Sequence, residues 1–144
     1  MHISIGSDHR GYEAKAKIVE LLAELGHTTG DVGANKEDSV DYPDIANMVS
    51  RRVADGVSDR GILICGTGIG MSIAANKRRG IRAAVCNDVI AAEMSRRHND
   101  INVLCLSAEV VGIEELVSVW LKTEFEGGRH ERRVKRITDM ENDF

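Results

Sequence analysis

Cys65 heads the segment of this chain best suited to chemistry. The run Cys65-Gly66-Thr67-Gly68-Ile69-Gly70 puts a thiol in front of a loop with glycine at every second position. Glycine lets backbone N–H groups turn toward one point, and a helix N-terminus behind the loop adds positive potential. Such a loop cradles an anion, either a phosphate or an oxyanion that exists only during a reaction; a plain tight turn is the simpler alternative. It is not a dinucleotide fingerprint, because Met71 follows Gly70, and it is not a P-loop, which ends in G-K-[ST]. A thiol between a strand end and a helix N-terminus sits where the thiolate is favoured. Free cysteines more often pack as small hydrophobes, the reading given to Cys86 and Cys105, whereas the position of Cys65 assigns it function.

Other chemical groups are scattered, and each has a structural alternative. Asp8-His9 follow a short apolar segment, where an aspartate also serves as a helix cap. Asp41-Tyr42-Pro43-Asp44 reads equally as a turn and helix start. His98-Asn99-Asp100 follows a helical stretch whose C-terminus favours a histidine. Arg129 and Arg133, four apart, share a helix face and suit a phosphate, while a solvated basic face is the alternative. His2 and His27 are incidental, and no His, Cys and carboxylate group shows zinc spacing.

The elements that must position these groups alternate. Strands are predicted at His2–Gly6, Thr28–Val32, Gly61–Cys65, Ile81–Cys86 and Asn102–Leu106. Helices are predicted at Tyr12–Leu25, from Pro43 to about Gly56, and at Met71–Arg79, Val89–Arg97, Ile113–Phe125 and Arg129–Glu141. Asn35–Asp41 reads as a loop. Strand–helix alternation means right-handed βαβ units and a parallel sheet covered on both faces. Ligands then bind beyond the carboxyl ends of the strands, which selects Ser7-Asp8-His9, Cys65–Gly70 and Asn87-Asp88. His98–Asp100 starts from the other edge in a simple wound sheet, and a neighbouring subunit could bring it to the site.

At 144 residues the chain fits one domain, 1–144, with a core of its own. A net charge of −4 argues against a general nucleic-acid partner, and no apolar run matches a membrane span. MHISIGSDHRG reads as the first strand and not as a leader. Three separate cysteines without Cys-x-x-Cys spacing suggest reduced thiols and a cytoplasmic location.

Six blocks carry a resemblance: GSDHRG at 6–11, DYPD at 41–44, GILICGTGIGMSIAANK at 61–77, GIRAAVC at 80–86, SRRHNDINV at 95–103 and EGGRHERRV at 126–134. In their order, and over nearly the whole chain, they resemble the type B ribose-5-phosphate isomerases and the related subunits of galactose-6-phosphate isomerase. The resemblance implies a Rossmann-like three-layer α/β/α sandwich with a five-stranded parallel sheet and a C-terminal helix extending to a partner subunit. It implies a homodimer or dimer of dimers with shared active sites, acting on a small-molecule sugar phosphate without a cofactor or metal. Cys65 would shuttle a proton between C1 and C2, and backbone N–H groups from Gly66 through Gly68 and Gly70 to Ser72 would hold the enediolate. Thr67 and His98 would open the sugar ring, with His98 and Asn99 supplied by the partner. Asp8, Tyr42 and Asn99 would position hydroxyls, and His9, Arg129 and Arg133 would bind the phosphate.

The chain departs from the family pattern at Glu109, where many members carry an arginine, and at Met71, where a branched aliphatic is common. The helix after Glu109 also reads as about three residues shorter. Glu109 opens the alternative of a six-carbon substrate, allose or galactose 6-phosphate. A non-catalytic phosphosugar-binding module is the reading from another class, opposed by an intact Cys65, Thr67 and His98.

Overall fold

A computed structural model describes residues 1–33, 35 and 40–143. Five strands, β1 (His2–Ser7), β2 (Thr28–Gly33), β3 (Arg60–Cys65), β4 (Ala83–Val85) and β5 (Val103–Ser107), form one parallel sheet in the order β2-β1-β3-β5-β4. Six helices connect and flank them: α1 (Tyr12–Glu24), α2 (Tyr42–Ala54), α3 (Ile69–Ala75), α4 (Val89–Asn99), α5 (Ile113–Lys122) and α6 (Arg129–Met140). The three-layer parallel architecture expected from the alternation is the one observed. The loop predicted at Asn35–Asp41 lies largely outside the described residues.

Side chains alternate along each strand, so one run feeds two cores. Ile3, Ile5, Ile62, Ile64, Leu104 and Leu106 point to the face covered by α1, α4 and α5, where Ile18, Leu22, Leu116 and Trp120 meet them. Leu63, Cys65, Val103 and Cys105 point to the opposite face, against Ile45, Val49 and Val53 of α2 and Met71 and Ala75 of α3. Strands buried on both faces are near-continuously apolar, as in Gly61–Cys65. Each fully buried aliphatic side chain contributes about 1.5–3 kcal/mol.

Two glycines bring α2 close to the sheet. A Cβ on Gly6 would lie 2.6 Å from Ile45 Cγ2, and one on Gly61 2.7 Å from Val49 Cγ1. That close seat fixes where α2 begins, and Tyr42 is its first residue.

The observed boundaries differ from the expected ones at several elements: β4 spans only Ala83–Val85 of the expected Ile81–Cys86, α2 closes at Ala54, and three further helices shift. α3 starts at Ile69, two residues early, because Gly68 takes the left-handed conformation (φ +81°) that admits the chain to the helix. It also ends early, at Ala75. α4 runs on to Asn99, so His98 and Asn99 form its last turn, and Asp100 ends it in the left-handed conformation. α5 stops at Lys122 because Thr123 is extended.

Candidate active site

β1 and β3 are neighbours whose following connections leave on opposite faces, α1 on one side and α3 on the other. The crevice at such a switch point is where an open α/β sheet binds ligands. Here a cleft of about 460 Å³ opens beyond the carboxyl ends of the strands, lined by Asp8, Tyr42, Cys65, Gly66, Thr67 and Gly70, with Arg10 at its side. Six of the residues singled out in the sequence therefore meet around one cavity.

Cys65 is 6% exposed, and its Sγ accepts the Gly68 N–H at 3.1 Å. The loop is held from several sides. Ser107 Oγ donates to the Gly66 carbonyl at 2.8 Å, and Thr67 Oγ1 accepts the Ile69 N–H at 3.2 Å. A Cβ on Gly68 would lie 3.0 Å from the Leu106 carbonyl carbon. At Gly70 a Cβ would overlap the Tyr42 ring, so the glycine makes room for the aromatic that closes the cleft.

The N–H groups expected to face an oxyanion are not all equivalent. That of Gly68 is given to Cys65, and that of Ser72 to the Gly68 carbonyl at 3.1 Å. Ser72 Oγ also turns inward, donating to the Ile69 carbonyl at 2.8 Å. Gly70 and Met71 occupy the first turn of α3, whose N–H groups have no helical acceptor.

Asp8 is 7% exposed. Its Oδ1 accepts the N–H groups of Arg10 and Gly11 at 3.0 and 3.2 Å, so it shapes the turn before α1 and does not cap the helix, whose cap residue is Gly11. His9 beside it has a buried Nδ1 with no hydrogen-bond partner among the described residues, an arrangement that is costly unless something else satisfies the atom. Cys86 and Cys105 behave as packed thiols: burial pushes both up, away from thiolate.

His98, Asn99, Arg129 and Arg133 gather elsewhere. α4 runs back from the carboxyl edge, so its last turn lies at the amino edge, where Arg82 ahead of β4 bonds the Asp100 carbonyl at 2.8 Å. The start of α6 sits on this turn. The Glu126 N–H donates to the Arg97 carbonyl at 3.0 Å, and Arg97 Nη2 pairs with Glu126 Oε2 at 3.1 Å. The His98 ring is stacked on His130, centroids 4.2 Å apart and planes 14° from parallel. Arg129 and Arg133 are exposed on α6. Glu109 is exposed at the opposite, carboxyl edge, with its N–H on Ser107 Oγ at 3.2 Å and no ion pair among the described residues.

A family model described as Ribose/Galactose Isomerase matches residues 3–137. The chain belongs to this family. It is 49% identical over 142 residues to ribose-5-phosphate isomerase B of Escherichia coli (strain K12), a match covering 96% of this chain and 95% of that protein. The ribose-5-phosphate isomerase B structure from Clostridium thermocellum superposes with a TM-score of 0.96 at 51% identity over 99% of both chains. That of Mycoplasma genitalium with bound ribulose-5-phosphate gives 0.94 at 41% identity, over 99% of this chain and 97% of that one.

Within this ribose/galactose isomerase, sequence reasoning passed over three residues. Ser107 pins the glycine loop, but a serine ending a strand gives no sign of it. Arg10 follows Asp8-His9 directly and reaches the cleft, with Nη1 only 2.9 Å from where a Gly66 Cβ would stand. His130 adjoins Arg129, yet only the folded chain shows it against His98.

Proposed function

We propose that this chain is an aldose–ketose isomerase interconverting D-ribose 5-phosphate and D-ribulose 5-phosphate, with Cys65 as the base, in a dimer whose sites are shared between subunits. The observation that carries the chemistry is the thiol at the head of the glycine loop, in the cleft with Asp8, Tyr42 and Thr67. As thiolate, Cys65 takes the proton from C2 of the open aldose, and the C–H electron pair becomes the C1–C2 double bond of an enediolate. The thiol returns the proton to C1 while the hydroxyl proton passes from O2 to O1. The charge that grows on oxygen meets the first-turn N–H groups of α3, and fixed donors of this kind stabilise a transition state without reorganising. One base serves both carbons, and the step needs no redox group or metal.

The shared site follows from the division of residues between the two edges. Ring opening by Thr67 and His98 needs both in one place, and phosphate binding by His9, Arg129 and Arg133 needs the same. A two-fold partner lays the α4–α6 end of one chain over the Cys65 cleft of the other, and the symmetry forms two complete sites at once.

The direct test follows both sugars with excess chelator, for wild type and Cys65→Ala, with allose and galactose 6-phosphates alongside. Pentose turnover that vanishes in Cys65→Ala is the expected result. Turnover of a hexose phosphate alone keeps the chemistry and moves the substrate, with Glu109 the first position to exchange. Binding without turnover of any sugar overturns the proposal.

A further inference from the structure

His130 lies on the first turn of α6 with 5% of its surface exposed, a degree of burial that nothing in the proposed chemistry requires. Its neighbours come from two elements. From α4, His98 stacks on it and Arg97 holds the adjoining Glu126. From the α6 end, Glu126 Oε1 lies 3.8 Å and Arg129 Nε 3.4 Å from the same ring nitrogen, with Arg133 one turn on. Burial, then the neighbouring His98 and the guanidinium groups of Arg129 and Arg133, hold the His130 imidazole below its ordinary range, while Glu126 opposes them.

The trio His98, Glu126 and His130 has donor atoms within 4.8 Å of one another, which raises the question of a metal ion. The stack answers it. Imidazole lone pairs lie in the ring planes, so an ion held by both rings must lie in both planes about 2.0–2.1 Å from each nitrogen. Two nearly parallel planes 4.2 Å apart at their centroids share no such point. The cluster as built is a stack of rings.

We infer that His130 is a positioning residue for His98: its ring is the flat seat that fixes the orientation of the imidazole that opens the sugar ring. The inference rests on the proposed role of His98. That residue stands half-buried on the last turn of a helix, where a side chain without a neighbour samples several rotamers. The neutral ring of His130, buried, met by Arg129 Nε at 3.4 Å and stacked against the end of α4, removes that freedom before substrate arrives. Loss of such orientation lowers rates by up to about a hundredfold.

The test compares His98→Asn, His130→Phe and His130→Leu in steady-state isomerisation, with His130→Met as a second non-planar filler should the leucine variant fail to fold. Phenylalanine keeps the flat face, so kcat stays within about threefold of wild type; leucine fills the volume without it, so kcat falls roughly tenfold or more while KM holds within about threefold. Equal losses in the phenylalanine and leucine variants, or no loss in leucine or methionine, overturn the inference. If His98→Asn itself keeps full kcat, the role of His98 falls first; if it loses activity while His130→Leu does not, only the seat is wrong.

Discussion

Cys65 ends a strand buried on both faces and flanked by β1 and β5, whereas His98 lies in the last turn of a helix at the margin of the sheet, its ring stacked on that of His130. Around Cys65 the backbone does the positioning: the Gly68 N–H on Sγ, the Leu106 backbone against Gly68, the Gly66 carbonyl on Ser107. Around His98 the contacts are between side chains, and much of the surface is open. The first half can hold a reacting group to a fraction of an ångström without help. The second is a set of polar ends at the opposite edge of the sheet, the arrangement that the proposed shared site requires of a half-site completing a partner's cleft.

The strongest way to break this comparison is to damage each half separately. Cys65→Ala and His98→Asn homodimers are each expected to lose roughly 10²–10⁴-fold in kcat, the usual worth of a positioned acid or base. Mixing and re-equilibrating the two proteins then produces heterodimers in which one site has both residues intact and the other has neither. Random pairing restores about a quarter of wild-type activity. Mixtures as inactive as their parents, with subunit exchange confirmed, place Cys65 and His98 in one chain's site and end the shared-site reading.

A smaller loss is expected from the loop alone. Gly68→Ala forces a side chain onto a residue at φ +81° and against the Leu106 backbone, a strain of about 1–3 kcal/mol. It also shifts the N–H that meets Cys65, so kcat falls roughly a hundredfold and the melting temperature drops with it. Activity surviving an intact melting temperature shows that the loop tolerates more than its geometry suggests.

The contrast between the halves also explains what could be read in advance. β3 and its loop announce themselves, because a short apolar run ending in cysteine and spaced glycines is a local pattern. So does the sheet, since the strands alternate with helical spacing. The start of α3 is hidden because Gly70 inside a helix looks like a turn residue; its reason is the Tyr42 ring from a distant helix. The end of α4 is hidden because Asp100, and no glycine, takes the left-handed conformation that stops it (φ 47°). His130 carried no signal at all, since stacking on His98 exists only once α6 has docked. Local order wrote the Cys65 loop into the sequence; tertiary contact made the stack of His98 on His130.

Tyr42 offers a finer test of the first half. Gly70→Ala displaces a ring that is partly exposed to solvent, so the fold is expected to persist while kcat/KM drops about tenfold through lost orientation. Tyr42→Phe in the same background separates the hydroxyl from the ring. If it lowers activity no further, the displaced tyrosine had already lost its contact with substrate.

The smallest expected effect probes the second half through pH. His130 binds its proton less readily folded than unfolded, for which 6.5 is the ordinary value. Between those two points the unfolded chain carries more protons, so stability rises with pH. The contribution is present above about pH 6.5 and is lost as the pH falls toward the folded value. His130→Phe has no such proton to exclude. Melting curves of the two proteins from pH 8 to 5 should therefore run parallel above neutrality and lose that parallel course below it, the wild type losing ground relative to the variant. The carboxylates are common to both and cancel in the difference. Curves parallel throughout show that His130 takes its proton without penalty, and the stacked pair is then held by the flatness of its rings alone.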